Sequence, residues 1–330
     1  MAKFGFLLLI ILVLRLMIFY SNPPKVTNIY KNPVRQTSIF TNIKDKIRDV
    51  YAQNLNSREA NLLMGIVFGE KNLDKESNEA FKNTGVLHVV AASGMNVSML
   101  VSFLLVTFVI FLRRQHALIL TFLAILFYTA LADFQPSIVR AAIMSGFALA
   151  AGLVGRQNTS LLALFLAAFV MVFWDPEIIT SVGFILSFAA TAGIILLDPV
   201  LKKKIKSDLL EDFRTTIAAQ LATTPIILFF FGTYSAISIP TNFLVLWTVP
   251  PLMALGGVGA LLGLITPILS APFVLLCLPL LLYFRAVVEY FAMASSPVEI
   301  KSIPWTLVAG YYLILLALIV LLRKRLKIAS

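Results

Sequence analysis

The sequence predicts an all-α polytopic membrane bundle, and three observations carry that prediction. Of 330 residues, 59% are hydrophobic and only 13% charged, about half the charged share usual in soluble domains. The mean hydropathy is +0.92, so lipid and not water must be the solvent for most of the chain. The apolar runs last roughly 17–25 residues, enough for a helix to cross about 30 Å of hydrocarbon, and they do not alternate at period two as barrel strands do. Backbone groups in lipid must be satisfied internally, which leaves helices.

In chain order, residues 4–20 form the first apolar segment, behind Lys3. Arg15 interrupts what would be the apolar part of a signal peptide, and Ser21-Asn22-Pro23-Pro24 offers no small-x-small cleavage site. An uncleaved anchor over 1–20 is therefore expected, with Arg15 snorkelling to the outer interface. Residues 21–85 are the one sizeable polar stretch, expected outside the membrane. Pro23, Pro24 and Pro33 give it an extended start, and 39–55 reads as a basic amphipathic helix. Residues 61–69 are apolar but too short to span, hence interfacial or re-entrant. Residues 70–82 carry both charge signs, as a solvated helix does.

Residues 86–330 form the polytopic domain. Spans are expected near 86–112, 117–132, 138–154, 160–174, 178–197, 215–231, 239–265, 272–294 and 305–322, about ten crossings with the anchor. If each segment crosses once, Arg113-Arg114, Arg156, Lys202 to Lys206 and the tail from Arg323 fall on one side. The positive-inside rule makes that side the cytoplasm and places the C-terminus there. Asp133, Asp175 and the 299–304 turn then face outward. The 239–265 segment is expected to be broken, because Pro250-Pro251 removes two donors and Gly256, Gly257, Gly259 and Gly263 follow. Such a segment lines a cavity or packs closely on its neighbours.

The net charge of +11 admits nucleic acid, anionic lipid, or the cations that fix topology; the last covers the interior clusters without help. Cys277 is the single cysteine, and His88 and His116 are the only histidines. That inventory builds neither a disulfide framework nor a Cys/His metal site, so no metal or cofactor is expected. No phosphate-cradling glycine loop of the Walker type is present either.

Polar side chains inside the apolar runs mark the candidate site. His88, Ser93 and Asn96 open the 86–112 run, Ser93 and Asn96 on one helical face, with Gly94 keeping the backbone slim. They line a watered cavity or bond between helices. Arg140 lies just inside the outer end of its span. It reads as a fixed positive charge at a pore mouth suited to phosphate, or as an arginine that snorkels or pairs with Asp133. Ser187 and Thr191 share a face, Gln220, Thr223 and Thr224 punctuate the next span, and Asn242 the one after. Polar groups on several spans at similar depth are what a shared cavity requires; bonding back to the parent helix is the alternative. Arg285 and Glu289 have the spacing of an intrahelical ion pair. His88 and Ser93 point about 140° apart on a helix and cannot share a proton unless the helix breaks at Gly94, so no catalytic residue is assigned. A secondary transporter for a small solute and an intramembrane hydrolase remain the alternative functions.

The order of these motifs resembles the membrane channel domain of the ComEC competence proteins, which carry transforming DNA across the bacterial cytoplasmic membrane. The matching pieces are Phe81-Lys82-Asn83-Thr84-Gly85 leading to His88 and Ala92-Ser93-Gly94, then Ser137 to Ala142 with Arg140. Asp175-Pro176, Gly183-Phe184 and Leu186-Ser187-Phe188 follow, then Thr223-Thr224-Pro225, Phe231-Gly232 and Asn242. Many relatives have a second histidine two residues after the Ser-Gly pair, where this chain has Asn96, which hydrogen-bonds but cannot titrate. The resemblance implies a non-enzymatic channel for single-stranded DNA in the bacterial cytoplasmic membrane. On that reading the polar and slim residues already singled out, His88, Ser93, Gly94, Asn96, Arg140, Ser187, Thr191, Gln220, Thr223, Thr224 and Asn242, are expected along the path. Neither a full OB-fold within 21–85 nor a nuclease-like domain after Leu322 is expected. The partners implied are single-stranded DNA, membrane lipid, a separate nuclease, a DNA receptor and a cytoplasmic motor, with homo-oligomerisation open.

Overall fold

The computed structural model describes residues 11–13, 15–17, 38–70, 72–90, 94–155, 159–205, 211–235, 237–294, 298–299 and 303–325. The long elements are all helical: α1 (Ser38–Asn54), α2 (Ser57–Phe68), α3 (Lys75–Asn83), the single turn α4 (Leu87–Val90), α5 (Gly94–Phe111), α6 (Arg114–Leu131) and α7 (Pro136–Val154). They continue as α8 (Ser160–Trp174), α9 (Val182–Lys204), α10 (Glu211–Phe231), α11 (Ser238–Val245), α12 (Val249–Gly263), α13 (Pro267–Ala294) and α14 (Trp305–Arg325). Among the described residues, strand is confined to β1 (Thr233–Tyr234) paired antiparallel with β2 (Val298–Glu299). Eight helices, counting α11 with α12 as one, are long and apolar enough to cross a membrane, and α8 is a shorter apolar helix. The chain is a multi-pass all-α bundle, as its composition predicts. Most of the expected anchor lies outside the described residues.

Three expected spans differ in detail. The 178–197 run opens in a 3₁₀ turn, Pro176–Thr180, and its helix α9 continues to Lys204. The 86–112 run is not one described helix: it begins with the turn α4, and α5 starts at Gly94. The 239–265 segment is broken, but at the 3₁₀ turn Leu246–Thr248, ahead of the prolines. Pro250 and Pro251 sit in the first turn of α12, where a helix needs no N–H from them. The glycines that follow are packing residues. A methyl on Gly256 would stand 3.0 Å from Leu63 and Val67, and one on Gly259 2.9 Å from Val274.

Residues 38–83 do not form a separate core. Tyr51 on α1 donates to Gly256 O on α12 at 2.8 Å, and Lys44 pairs with Asp133 at 2.7 Å. Helix α2 is buried along Leu62–Phe68 among α12, α13 and α1. It ends inside the bundle, where its last carbonyls need partners. Asn96 donates to Ile66 O at 2.8 Å, Tyr128 to Val67 O at 2.8 Å and Gln135 to Gly69 O at 3.1 Å. Gly69, left-handed at φ 75°, closes the helix by donating to Gly65 O.

Helices α9 and α10 contain Pro199 and Pro225, and each proline frees the carbonyl four residues earlier. The last helix takes up both. Tyr311 donates to Leu221 O at 2.8 Å, and Arg323 to Ile195 O at 3.3 Å. That accounts for how two kinked helices are tolerated in a medium without water.

Candidate functional site

Helix α7 is launched by a tight turn in which Asp133 and Phe134 are both left-handed (φ 57° and 51°). Pro136 occupies its first turn, the position where a fixed φ helps and a missing donor costs nothing. Arg140 follows one turn later and is only 7% exposed. Its Nη1 donates to Ser187 O on α9 at 2.6 Å, and its guanidinium carbon lies 5.9 Å from the centre of the Phe188 ring. Phe184 stacks behind Phe188 with ring centroids 4.3 Å apart. Nη2 lies against the bare backbone of Gly94 at the start of α5. Nε is buried with no hydrogen-bond partner.

The cation has no carboxylate within salt-bridge distance among the described residues. The ion pair with Asp133 that the sequence allowed does not form, because Asp133 pairs with Lys44. Among the described residues the two other buried cations, Lys44 and Arg214, are compensated. Arg214, 1% exposed, pairs with Asp198 at 3.2 Å. Arg285 holds Glu289 at 3.1 Å and also the buried Glu59. The spacing of Arg285 and Glu289 thus gave a real pair, while Glu59, the stronger partner, was missed. A carboxylate at the head of a buried apolar helix was the available signal. A buried charge left unpaired costs several kcal/mol, so the Arg140 site is held by its surroundings at the expense of stability.

A second polar cluster joins α10 and α11. Gln220 Nε2 donates to Ser238 Oγ at 2.7 Å, while Gln220 Oε1 is buried without a partner. Asn242 lies one turn beyond Ser238, is 2% exposed, and its Oδ1 is also unpaired. Gly85, left-handed at φ 69°, lets the α3–α4 turn rest on Ser238, where a methyl would stand 2.6 Å from the serine Cβ. Ser238 was not among the sequence candidates; its place one turn before Asn242 was the signal.

The remaining candidates divide. Thr191, Thr223 and Thr224 donate within their own helices, to Ser187 O at 3.0 Å, Ala219 O at 2.9 Å and Gln220 O at 2.7 Å. Asn96 is fully buried and ties α5 to α2. Ser93 and the His88 side chain lie outside the described residues. Three distant motifs therefore converge, at Gly94, Arg140 and Ser187. Among the described residues, no three His, Cys, Asp or Glu side chains gather as a metal site would need. A crevice between Glu76, Phe81, Arg285 and Glu289 and an apolar groove at Phe229, Trp305 and Tyr312 both lie away from Arg140. Arg140 is shut from solvent in this conformation.

The competence protein family model matches residues 66–325. ComE operon protein 3 of Bacillus subtilis (strain 168) is 35% identical over 176 residues, which cover 52% of this chain and 22% of that protein. An uncharacterized protein of Aquifex aeolicus (strain VF5) is 28% identical over 262 residues, 78% of this chain and 60% of that one. The chain thus spans less than two thirds of the length of either relative. No solved structure matches. With the ordered motifs and the family match running from the end of α2 to the end of α14, the chain belongs to the competence protein family, of the ComEC type.

Proposed function

We propose that the chain passes single-stranded DNA inward across a bacterial cytoplasmic membrane, with Arg140 meeting the phosphodiester backbone. One observation supports this above the others: a buried guanidinium with no carboxylate beside it among the described residues and an unpartnered Nε. Arginine stays protonated in such a place. Its Nη1 is committed to Ser187 O, which leaves the Nε–Nη2 edge, the planar fork that matches two oxygens of a phosphate. A mobile anion then supplies the counter-charge that the fold withholds. In this reading the polar faces of α9, α10 and α11, with Ser187, Thr191, Gln220, Thr223, Thr224 and Asn242, form a wall that opens as the helices part.

The basic ends of α9 and α14, Lys202–Lys203 and Arg323–Arg325, support a cytoplasmic position for that end of the bundle by the positive-inside rule. The passage requires no covalent step, so strand degradation, capture and pulling force fall to partners: a nuclease, a DNA receptor and a motor. The test is uptake of labelled DNA in a deletion strain complemented with wild type, Arg140→Lys and Arg140→Ala at matched membrane levels. Uptake is expected to drop about tenfold or more for Arg140→Ala, the worth of one charge-assisted hydrogen bond, with Arg140→Lys between. Wild-type uptake by Arg140→Ala would end the proposal.

A further inference from the structure

We infer that Gly94 is the positioning residue for Arg140, and that the Ser93-Gly94 motif exists because the guanidinium occupies the space where any other residue at 94 would put its side chain. The inference rests on the reading that Arg140 meets phosphate, and adds what holds it in place. A methyl built on Gly94 would collide with Arg140 Nη2, and would lie only 3.4 Å from both Arg140 Cζ and Ala141 Cβ. The colliding atom is the tip of a flexible side chain, and the neighbouring contact with Ala141 is ordinary. The helices therefore need not move: the guanidinium does.

Where it goes is constrained. Nη1 is anchored 2.6 Å from Ser187 O, and the Phe188 ring faces the guanidinium at 5.9 Å. Swinging Nη2 away from Gly94 rotates the whole plane, stretches the bond to Ser187 O and turns the Nε–Nη2 edge off its line. Glycine at 94 thus sets which edge of Arg140 is presented, through a contact between α5 and α7 and with no polar atom of its own side chain. A two-oxygen anion such as a phosphodiester is sensitive to that angle, since both fork bonds must form together. Lysine at 140 has one nitrogen at its tip and no second arm to collide.

This predicts suppression. Uptake of labelled DNA and thermal unfolding in detergent are measured for wild type, Gly94→Ala, Arg140→Lys and the double variant, with Arg140→Ala alongside and uptake normalised to membrane level. Gly94→Ala is expected to lower uptake about tenfold or more and to lower the melting temperature by about 2–4 °C. The double variant returns to the level of Arg140→Lys alone on both readouts. Wild-type behaviour of Gly94→Ala, or a double variant carrying both losses in full, overturns the inference. Suppression in melting with uptake indifferent to Arg140→Ala would keep the Gly94–Arg140 unit and remove the DNA reading. Uptake lost with Arg140→Ala but without suppression would do the reverse.

Discussion

The carbonyls that end α2 are met one by one by Asn96, Tyr128 and Gln135, whereas Arg140 Nε, Gln220 Oε1 and Asn242 Oδ1 meet nothing among the described residues. Both regions are buried and both are polar, so burial alone does not separate them. A satisfied network fixes its helices in one arrangement. An unsatisfied buried atom costs about 1–3 kcal/mol and persists only when something else depends on it. The first region is a bonded keel; the second holds unpaired groups, which the proposed passage would fill with a ligand or water as the helices separate. Glu59 Oε2 is also unpaired, but its carboxylate is neutralised by Arg285, so it belongs to the keel.

The comparison can be broken by substitution, starting where the expected effect is largest. Arg285→Ala leaves Glu59 buried and uncompensated, and should cost about 3–5 kcal/mol of stability, read as lost thermal stability and membrane level. Adding Glu59→Leu should recover much of it; no recovery would mean the triad is not what holds α2 to α13. Asn96→Leu, which orphans Ile66 O, should cost about 1–3 kcal/mol by the same melting measurement. Asn242→Leu removes an amide that bonds nothing in this conformation. It should leave stability undiminished, or raise it by up to about 1–3 kcal/mol, while lowering DNA uptake at normal protein level. If Asn242→Leu melts like Asn96→Leu, the two regions are not different in kind.

The smallest effect lies outside the spans. Asp74 caps α3, accepting from Ser77 N at 3.2 Å. Desolvation pushes its carboxyl upward, but the bonds from Ser77 and the nearby Arg58 outweigh it and hold it below the usual carboxylate range. A lowered carboxylate stabilises the folded chain above its unfolded pKa and loses that contribution as pH falls through its folded value. Acidification toward the folded pKa should therefore loosen α3 slightly, seen as a lower protection factor at Ser77 once the exchange rate is normalised to the intrinsic rate at each pH. Asp74→Asn, which keeps the acceptor without the charge, should abolish that pH dependence.

Much of this was legible in the sequence because lipid makes strict demands. Long apolar runs, short basic loops and a polar stretch with both charge signs marked where the helices lie, with ends that differ by up to eight residues. The short apolar segment over 61–69 falls in a helix of 12 residues, Ser57–Phe68. What was not legible was partnership across the fold. Nothing local pairs Glu59 with Arg285 or Lys44 with Asp133, and nothing near Pro225 names Tyr311 as the donor for the carbonyl it frees. The site shows the same division. Arg140 stood out alone, since a cation in an apolar run is costly wherever it lies. That Gly94 is its seat and Ser187 O its anchor depends on α5 and α9 meeting α7, which no spacing along the chain reveals. For Thr191, Thr223 and Thr224 both alternatives were legible, and the hydroxyls take the local one in this conformation, donating to a carbonyl of their own helix.

The most direct test places a photo-crosslinking amino acid at position 187 and, as a control, at Val106, which is 65% exposed on α5. Cells taking up labelled DNA are then irradiated. DNA adducts at 187, absent at 106 and lost when Arg140→Ala is added, are the predicted result. No adduct at 187, or equal adducts at both positions, would contradict the claim that the nucleic acid backbone passes Arg140.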